Sequence, residues 1–450
     1  MASSANTSEL SLEIRDIAFP QGFGVARNGD FVCFVPGAIP GDVVRVKMTR
    51  EEKRFGFARI LAIEKESPFT VAPACPHAGA CGGCAFQNLL YEKQLELKQN
   101  YLLQTLRRIG NVPLEQVKVE SIVPSAEQYY YRSKVELFFG EHGPVNVGFR
   151  ERVSPLEPYS GRLVPIQQCP IFSKSLERLL PLFSEYAGRV QAGARGKQTS
   201  RVALRKLIIR EAKWNKRLMV SLVVEGNDMA EFPWLLREAQ REVPEVASLW
   251  VISDRKREVL LGTPYVEEMI GQRTFRIYPQ TFSQPNTRMA ERLYESIAEL
   301  CQAAASELVL GLYCGTGPIE ISLSPFARKI VGVDSDAGNI TTAIENCRIN
   351  QVRNCQFYRQ TAERASSLNI SGPFDLIVVD PPRAGLTPEA VSFIKGLAVS
   401  RLIYVSCNPS TLARDLKRLR EAGYKPRSIL PFDFFPHGAH LETLVLLERG

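Results

Sequence analysis

The sequence predicts a multidomain α/β protein with an N-terminal small β-barrel, a central β-rich part and a C-terminal Rossmann-like part. Short apolar runs punctuated by glycines fill the chain up to about residue 67, which is typical of a small barrel. From about residue 282, strand patterns alternate with helical patterns, which indicates a parallel sheet covered by helices. A helical pattern over residues 91–108 is expected to pack on the C-terminal part. We therefore expect domains over residues 1–67, 68–281 and 282–450.

The composition is that of a globular protein in a reducing compartment. Hydrophobic residues make up 45% and charged residues 23% of the 450 residues. No apolar run reaches the roughly 20 residues of a membrane helix, and the polar N-terminus lacks the apolar core of a secretion signal, so we expect a cytoplasmic protein. Ten cysteines are then better explained as metal ligands, a nucleophile and core residues than as disulfides. The net charge of +8 permits a polyanionic partner without requiring one.

Basic residues and aromatic rings are mixed in the second half of the predicted barrel. Single-stranded nucleic acid favours such surfaces, because phosphates pair with cations and bases stack on rings. A solvated surface over core aromatics explains the same composition equally well. The residues of the barrel stretch are Arg45, Lys47, Arg50, Lys53, Arg54, Phe55, Phe57 and Arg59.

A second basic stretch, residues 201–217, holds seven basic residues against one acid and favours RNA contact.

Three cysteines, Cys75, Cys81 and Cys84, lie within ten residues in a loop that also contains glycines. Thiolates favour zinc or iron–sulfur clusters, and either needs a fourth ligand. Cys169, which precedes a proline, is the best candidate for that ligand, and His77 is the alternative if the metal is zinc. The spacing predicts a metal site but does not choose the metal.

A turn suited to a nucleoside-containing cofactor follows the predicted strand over residues 308–312. The turn contains Tyr313, Gly315 and Gly317, and its glycines let a ligand approach the backbone. The next predicted strand ends in Asp334, about twenty residues on, where a carboxylate can hold ribose hydroxyls.

Three further side chains are expected at the same edge of the sheet. Glu363 follows a third strand, near where an adenine would lie, and Asp380 ends an apolar fourth strand. Cys407 lies between a predicted strand over residues 402–406 and the helix that follows. A helix N-terminus favours the thiolate, so Cys407 is a candidate nucleophile, although many reduced cysteines only fill a core.

Taken in order, these motifs resemble the S-adenosylmethionine-dependent RNA uridine-5-methyltransferases, most closely the iron–sulfur ribosomal RNA branch (the RumA/RlmD type). The match covers nearly the whole chain. The N-terminal part resembles a TRAM domain, and the C-terminal part resembles a class I methyltransferase domain. The stretches that carry the resemblance are the four cysteines, Gln280 with the six residues after it, Asp380-Pro381-Pro382-Arg383, Ser406-Cys407-Asn408-Pro409, and residues 435–442.

The resemblance implies methyl transfer from S-adenosyl-L-methionine to carbon 5 of a uridine in RNA. The expected substrate is 23S ribosomal RNA, with tRNA as the alternative. Cys407 would add to carbon 6 of the uracil, Glu442 would remove the proton from carbon 5, and Arg383 would contact phosphate. The implied cofactor contacts are Gln284, Tyr313, Gly315, Gly317, Asp334, Glu363 and Asp380.

The resemblance also implies a 4Fe-4S cluster on Cys75, Cys81, Cys84 and Cys169. Its expected role is structural or RNA-positioning, because uracil methylation needs no redox step. We expect a monomer whose partner is RNA, with neither a membrane nor a protein partner. A non-catalytic RNA-binding protein that kept the fold is an alternative.

Three positions depart from the family pattern. Gly311 stands where an acid is common, and Pro318 stands where a polar residue is usual. The contacts to the methionine end of the cofactor are therefore expected to differ in this chain, and these two residues are what keep the non-catalytic alternative open. Asp334 replaces a more common glutamate and is expected to keep its role.

Overall fold

The computed structural model describes residues 9–140, 146–151, 162–196, 203–226, 232–303, 307–368 and 373–450. Within these ranges the chain forms four β-sheets. The predicted basic stretch is thus described from residue 203 onward. No helix in these ranges is both long enough and apolar enough to cross a membrane.

The N-terminal part is a curled six-stranded sheet. Its strands are β1 (Glu9–Glu13), β2 (Asp16–Ala18), β3 (Phe23–Asn28), β4 (Phe31–Pro36), β5 (Val43–Glu51) and β6 (Phe55–Lys65), in the order β1-β5-β6-β4-β3-β2. The link between β1 and β2 joins the two edges of the sheet. There the Ile14 amide donates to the Asp42 carbonyl and the Arg15 amide to the Val25 carbonyl, each at 2.9 Å. The curl encloses a small apolar core, as the glycine-punctuated pattern predicts.

A segment that carries three of the candidate ligand cysteines connects this sheet to helix α1 (Tyr91–Arg108). Leu102 and Leu106 of α1 are fully buried in the core of the C-terminal sheet. The short strand β7 (Lys118–Val119) then becomes an edge strand of that same sheet.

The central part is a seven-stranded sheet with two helices packed against it. Its elements are β8 (Lys134–Phe139), β9 (Val147–Arg150), β10 (Leu163–Pro165), α2 (Leu176–Gly196), β11 (Ala203–Glu211), β12 (Leu218–Glu225), α3 (Phe232–Glu242), β13 (Val246–Ile252) and β14 (Arg257–Gly262). The strand order is β10-β9-β8-β11-β12-β13-β14. The strands were predicted, but the 21-residue helix α2 was not. Pro181 lies within it, and an internal proline is ordinarily a signal against a helix.

The C-terminal part follows a hairpin of β15 (Val266–Ile270) and β16 (Arg273–Ile277). Its elements are α4 (Thr287–Ala303), β17 (Leu308–Leu312), α5 (Pro318–Leu323), β18 (Lys329–Asp334), α6 (Ala337–Ile349), β19 (Cys355–Arg359), β20 (Leu376–Val379), α7 (Pro388–Leu397), β21 (Arg401–Ser406), α8 (Pro409–Glu421), β22 (Tyr424–Phe432) and β23 (Glu442–Arg449). The strand order is β19-β18-β17-β20-β21-β23-β22-β7. Strands β17 to β21 run parallel and β23 runs antiparallel to its neighbours.

The predicted fold class is therefore confirmed. Chain order reverses between β17 and β20, and ligands of open α/β sheets bind at the carboxyl ends of strands beside such a reversal. The side chains predicted to form the site follow these strands.

Candidate active site and cysteine loop

The turn after β17 leaves its backbone accessible. Tyr313, Gly315 and Gly317 have φ angles of 61°, 54° and 79°. This left-handed region favours glycine, so Tyr313 is the strained member of the three. A Cβ added at Gly315 would meet no atom within 4 Å, so there is room for a ligand against the backbone.

Asp334, at the end of β18, is held against this turn. Its carboxylate accepts the amides of Gly315 at 3.0 Å and Asp336 at 2.9 Å, and the side-chain amide of Asn339 at 3.3 Å. These donors fix the orientation of both oxygens. A carboxylate has about four acceptor sites, so it can also accept ribose hydroxyls.

Glu363 lies on the far side of the same turn, where its charge helps to raise the pKa of Tyr313. The Thr387 hydroxyl donates to Glu363 Oε1 at 2.9 Å. Burial acts to raise the pKa of Glu363, but hydrogen bonds from its own amide and from Thr387 and Thr361 outweigh burial and lower it. Glu363 is thus an ionised acceptor.

Asp380, after β20, lies in a different environment. Burial raises the pKa of Asp380 to about 7. The side-chain amide of Gln284 donates to it at 3.5 Å, and the Gln284 carbonyl accepts the Ser133 hydroxyl at 3.1 Å. The structure therefore brings Gln284 and Asp380 together, as the motifs imply.

The segment that carries Gln284 is anchored by buried polar contacts. Asn286 caps α4 by accepting the Met289 amide at 3.2 Å, so it acts as a positioning residue rather than as a ligand-facing group. Arg210 of β11 donates to the Ser283 hydroxyl at 2.8 Å and to the Thr281 carbonyl at 2.7 Å.

The expected basic RNA-binding face on residues 201–217 keeps Arg205, Lys216 and Arg217 exposed but does not include Arg210. Arg210 is buried, with 6% of its surface exposed, and Lys213 of the same stretch pairs with Glu211 in the interior. Their sequence pattern cannot be distinguished from that of surface cations, because the acceptors of Arg210 and one acceptor of Lys213, the Phe172 carbonyl at 2.7 Å, come from distant segments. Lys206 remains accessible, where it pairs loosely with Glu136 at 3.8 Å.

Sequence reasoning also missed an exposed ring beside Gln284. Phe282 is 61% exposed, which is the largest value among the exposed large hydrophobic residues of the described chain. The sequence presents Phe282 only as part of the motif that begins at Gln280. An apolar ring that stays in solvent is a candidate stacking surface, but its exposure is visible only in the tertiary structure.

Cys407 and Glu442 face each other across two strands. The antiparallel register pairs Ser406 of β21 with Thr443 of β23. Cys407 follows Ser406 and Glu442 precedes Thr443, so Cys407 and Glu442 lie opposite each other. Asn408 caps α8 by accepting the Ser410 amide at 3.1 Å, so Cys407 is held at the helix N-terminus as predicted.

The expectation that this position favours the thiolate is wrong for the free protein. Burial, followed by the charges of Glu442 and Asp380, raises the pKa of Cys407 to about 12. Arg383 and the Cys407 amide act in the opposite direction but do not outweigh them. Burial and Asp380 likewise raise the pKa of Glu442 well above its ordinary value. A cationic ligand beside these groups would favour their ionised forms.

Arg383 joins the two motifs at the rim of the site. Its carbonyl accepts the side-chain amide of Asn408 at 3.0 Å and the Thr411 hydroxyl at 3.2 Å. Its exposed guanidinium lies 3.2 Å from Nε2 of His440. The turn after Asp380, the start of α8 and the loop before β23 thus form one rim.

The cysteine loop, residues 75–84, lies next to Cys169. Burial and then the charges of Cys84, Cys81 and Cys75 raise the pKa of Cys169 to about 12, so the structure brings the four thiols together. No disulfide involves any of the ten cysteines, all of which fall within the described ranges. No three His, Cys, Asp or Glu side chains in those ranges lie close enough to hold one metal ion.

His77 ties the cysteine loop to the segment of Cys169. Its Nε2 accepts the Gln167 amide at 3.1 Å, which leaves only Nδ1 for a zinc ion. The other end of the loop is fixed to the C-terminal loop, residues 433–441. There the amides of Ala85 and Phe86 donate to the His437 carbonyl at 2.8 and 3.0 Å.

The barrel presents part of the basic surface that its sequence predicts. Lys53, Arg54 and Arg59 are exposed, and Phe55 is 36% exposed. Phe57 is buried at 4% exposure and belongs to the interior. A stacking surface with cations beside it is present, but it is smaller than the composition suggested.

Known proteins match this chain along nearly its whole length. The TRAM domain family matches residues 5–61, and the tRNA (uracil-5-)-methyltransferase family matches residues 237–450. Proteins described as uncharacterized RNA methyltransferases from Halalkalibacterium halodurans and Bacteroides thetaiotaomicron are each 32% identical. Their alignments cover 98% and 95% of this chain and 96% and 99% of the relatives.

A solved structure gives a similar match. The tRNA (uracil-54, C5)-methyltransferase of Pyrococcus abyssi, in complex with S-adenosyl-L-homocysteine, has a TM-score of 0.77 and is 26% identical, with 97% of this chain and 99% of that chain covered. These findings confirm an S-adenosylmethionine-dependent enzyme that acts on RNA. The chain belongs to the tRNA (uracil-5-)-methyltransferase family of class I RNA methyltransferases, with an N-terminal TRAM domain.

Proposed function

We propose that this protein methylates carbon 5 of a uridine in ribosomal RNA through a covalent adduct with Cys407. The observation that carries the proposal is the position of Cys407 opposite Glu442 across β21 and β23, with Asp380 close enough to act on both. A thiol, a buried carboxyl group and an orienting carboxyl group at one sheet edge suit nucleophilic addition followed by proton removal.

Carbon 5 of uracil is a weak nucleophile until carbon 6 is attacked. The Cys407 thiolate forms a bond to carbon 6, and the electron pair of the 5,6 double bond moves toward the oxygen on carbon 4. S-adenosylmethionine supplies the electrophilic methyl group, which carbon 5 takes up as the sulfur–methyl bond breaks and S-adenosylhomocysteine is left. Glu442 then removes the proton from carbon 5, and the electron pair left behind restores the double bond and expels the Cys407 thiolate.

The nucleoside part of the cofactor is assigned to the edge formed by β17, β18 and β19. Asp334 accepts the ribose hydroxyls and Glu363 accepts a hydrogen bond from the adenine amino group. Open space at the backbone of the turn and the fixed orientation of both carboxylates support these roles. The remaining proposed contacts are Gln284, Tyr313, Gly315, Gly317 and Asp380.

The target base has to leave its stack to reach this cleft. Phe282 offers an exposed ring on which it can stack, next to the Gln284 and Asp380 pair. Arg383 at the rim contacts a backbone phosphate, and the exposed cations of the barrel bind RNA further away.

We further propose a 4Fe-4S cluster on Cys75, Cys81, Cys84 and Cys169. Cys75, Cys81 and Cys84 all lie close enough to Cys169 for their charges to act on its thiol, which supports one shared ligand set. A single zinc ion would bring its sulfur ligands to within about 4 Å of one another, whereas each thiolate of a cluster binds a different iron. The site fixes the cysteine loop, and through His437 it supports the C-terminal loop that leads to Glu442.

A tRNA substrate is the second candidate, since the Pyrococcus abyssi structure is of a tRNA (uracil-54, C5)-methyltransferase. The deciding experiment is methyl transfer to RNA from cells that lack this gene, followed by mapping of the modified nucleotide. We expect 23S ribosomal RNA to accept the label. Labelling confined to tRNA would show that tRNA, and not ribosomal RNA, is the substrate.

We also propose that the protein is a cytoplasmic monomer, with domain boundaries at about residues 67 and 281.

The covalent step is tested with RNA that carries 5-fluorouridine at the mapped site. Fluorine on carbon 5 cannot leave as a proton, so the methylated adduct should persist on a denaturing gel. We expect the adduct with the parent protein and with Cys301→Ala, a control at a buried cysteine of α4, but not with Cys407→Ala. Equal trapping by Cys407→Ala would refute the assignment.

The metal is tested by iron, sulfide and zinc analysis of anaerobically purified protein. We expect four iron and four sulfide ions per chain, lost together when Cys169 is replaced by Ala. Stoichiometric zinc without iron would contradict the cluster.

A further inference from the structure

The middle of β17 contains a gap that a side chain from α5 fills. Gly311 pairs with Gly332 of β18 on one side and Val378 of β20 on the other. A Cβ built at Gly311 would lie 2.0 Å from Oε1 of Glu320 and 2.9 Å from its Cδ. The carboxyl group of Glu320 therefore occupies the space where a side chain of residue 311 would begin. The two residues are nine positions apart in sequence and act as one unit.

Glu320 is buried at a position where a carboxyl group is unfavourable without a partner. It is 3% exposed, and its Oε2 has no hydrogen-bond partner among the described residues. Burial, opposed by a hydrogen bond from its own amide and assisted by the charges of Asp380, Asp334 and Cys347, raises the pKa of Glu320 to about 8. A buried, unsatisfied acid is destabilising in the free protein, which points to a partner that arrives with a ligand.

Glu320 lies within electrostatic range of both ends of the proposed cofactor cleft. Asp334 is the proposed ribose acceptor, and Asp380 belongs to the reacting end. Tyr294 of α4 is buried beside the same groups, since Asp380, Glu320 and Glu442 all raise its pKa. In S-adenosylmethionine, the ribose and the reacting sulfur are joined to an aminobutyrate arm that carries an ammonium group.

We propose that Glu320 binds the ammonium group of this arm, with Gly311 as the residue that makes room for the carboxylate. The inference rests on the cofactor site proposed above. Gly311 of β17 has no side chain, so the carboxylate that occupies this space comes from Glu320 of α5. A charged hydrogen bond in a buried setting is among the strong ones, and the ammonium supplies the cation that this acidic edge needs.

Calorimetry with three nucleosides and no RNA tests the role. S-adenosylmethionine has both the ammonium and the sulfonium, S-adenosylhomocysteine has only the ammonium, and 5′-methylthioadenosine has neither. We expect Glu320→Gln to weaken the first two roughly 10- to 100-fold and to leave methylthioadenosine unchanged. Glu307→Gln, at an exposed acid paired with Arg328 before β17, is the control and should change none of them.

Other outcomes overturn the proposal. Loss of S-adenosylmethionine affinity alone would assign Glu320 to the sulfonium, and equal loss of all three ligands would make it a structural residue. If no ligand weakens, Glu320 has no part in binding. If the parent protein binds none of the three, the cofactor site itself is misplaced, which separates that failure from this one.

A reciprocal exchange gives a second test. Gly311→Asp alone should weaken binding, because its Cβ collides with the Glu320 carboxyl group. Gly311→Asp combined with Glu320→Ala returns a carboxylate to the same space from the strand, and should recover most of the S-adenosylhomocysteine affinity lost in Glu320→Ala. A double variant no better than Glu320→Ala would contradict the shared position.

Discussion

The two ends of the proposed cofactor cleft hold their carboxyl groups in opposite surroundings. At the nucleoside end, amides and hydroxyls donate to Asp334 and Glu363. At the reacting end, burial raises the pKa values of Glu320, Asp380 and Glu442, and the charge of Asp380 adds to the effect on the other two. Hydrogen bonds favour the charged form of an acid, whereas burial and like charges disfavour it.

The site therefore has one end that is ready to bind ligand in the free protein and one end whose ionisation depends on the ligand. The nucleoside end has its acceptors oriented before anything binds, and hydrogen bonds lower the pKa of Glu363. The reacting end keeps its protons, together with the thiol of Cys407, until a cationic ligand arrives. Groups whose pKa values are moved in opposite directions by their surroundings commonly serve different roles in one active site.

The largest effect is expected at the reacting end. Glutamine cannot accept a proton, so Glu442→Gln should lower the rate of methyl transfer roughly 100- to 10,000-fold. The methylated adduct should then accumulate on Cys407, where labelled methyl groups detect it on a denaturing gel. Glu448→Gln is the control, since Glu448 lies on the same strand and pairs at the surface with Arg427 at 2.9 Å. Turnover of Glu442→Gln at the parent rate would exclude Glu442 as the base.

A smaller loss is expected at the nucleoside end. Asp334→Asn removes a charged acceptor and should weaken S-adenosylhomocysteine about 10- to 100-fold in calorimetry. Asp336→Asn is the matched control, because asparagine can still cap α6 as Asp336 does through the Asn339 amide at 2.8 Å. Equal losses in both variants would assign the effect to the fold of the turn.

The protonated state of the reacting end predicts a pH dependence of stability. Glu320 and Asp380 have pKa values of about 8 and 7, above their ordinary values of 4.5 and 3.8. At pH values between the ordinary and the raised pKa of each acid, the folded protein binds more protons than the unfolded chain. The free energy of unfolding therefore decreases as pH rises. We expect the melting temperature of the ligand-free protein to fall by roughly a few degrees from pH 6 to 9.

Two variants check this pH dependence. Glu320→Gln should flatten it, because the amide does not titrate. Glu363→Gln should leave the slope between pH 6 and 9 unchanged, because the pKa of Glu363 is lowered and lies outside that window. A fall in Glu320→Gln as steep as in the parent would show that the buried acid is already ionised at pH 6.

The smallest effect concerns the adenine. Glu363→Gln keeps one acceptor oxygen, so we expect about a two- to fivefold loss of S-adenosylhomocysteine affinity. Thr387→Val, which removes the hydroxyl donor to Glu363, should have a similar or smaller effect. A loss larger than that of Asp334→Asn would reverse the ranking of the two acids.

Local patterns explain why much of the C-terminal sheet could be predicted. Predicted strands over residues 308–312 and 402–406 are observed at Leu308–Leu312 and Arg401–Ser406. Both are continuous apolar runs, which is typical of parallel strands covered on both faces. The start of α8 was equally predictable, because Asn408 and Pro409 are a cap and a first helical residue.

Features set by distant partners could not be predicted in this way. The burial of Arg210 depends on acceptors about seventy residues away in the chain. The raised pKa of Cys407 depends on Asp380 and Glu442, which the helix N-terminus alone does not reveal. Glu320 was not singled out, since no local pattern relates a helical acid to a glycine on a strand.

The sequence by itself determined the fold class and the positions of Cys407, Asp334 and Asp380 at strand ends. These follow from apolar periodicity, capping residues and short motif spacing, which act within a few residues. Only the tertiary structure decided the charge state of the site and the position of Glu320 against Gly311. The physical reason is that burial and Coulomb interactions depend on distance in space, which the spacing along the chain does not specify.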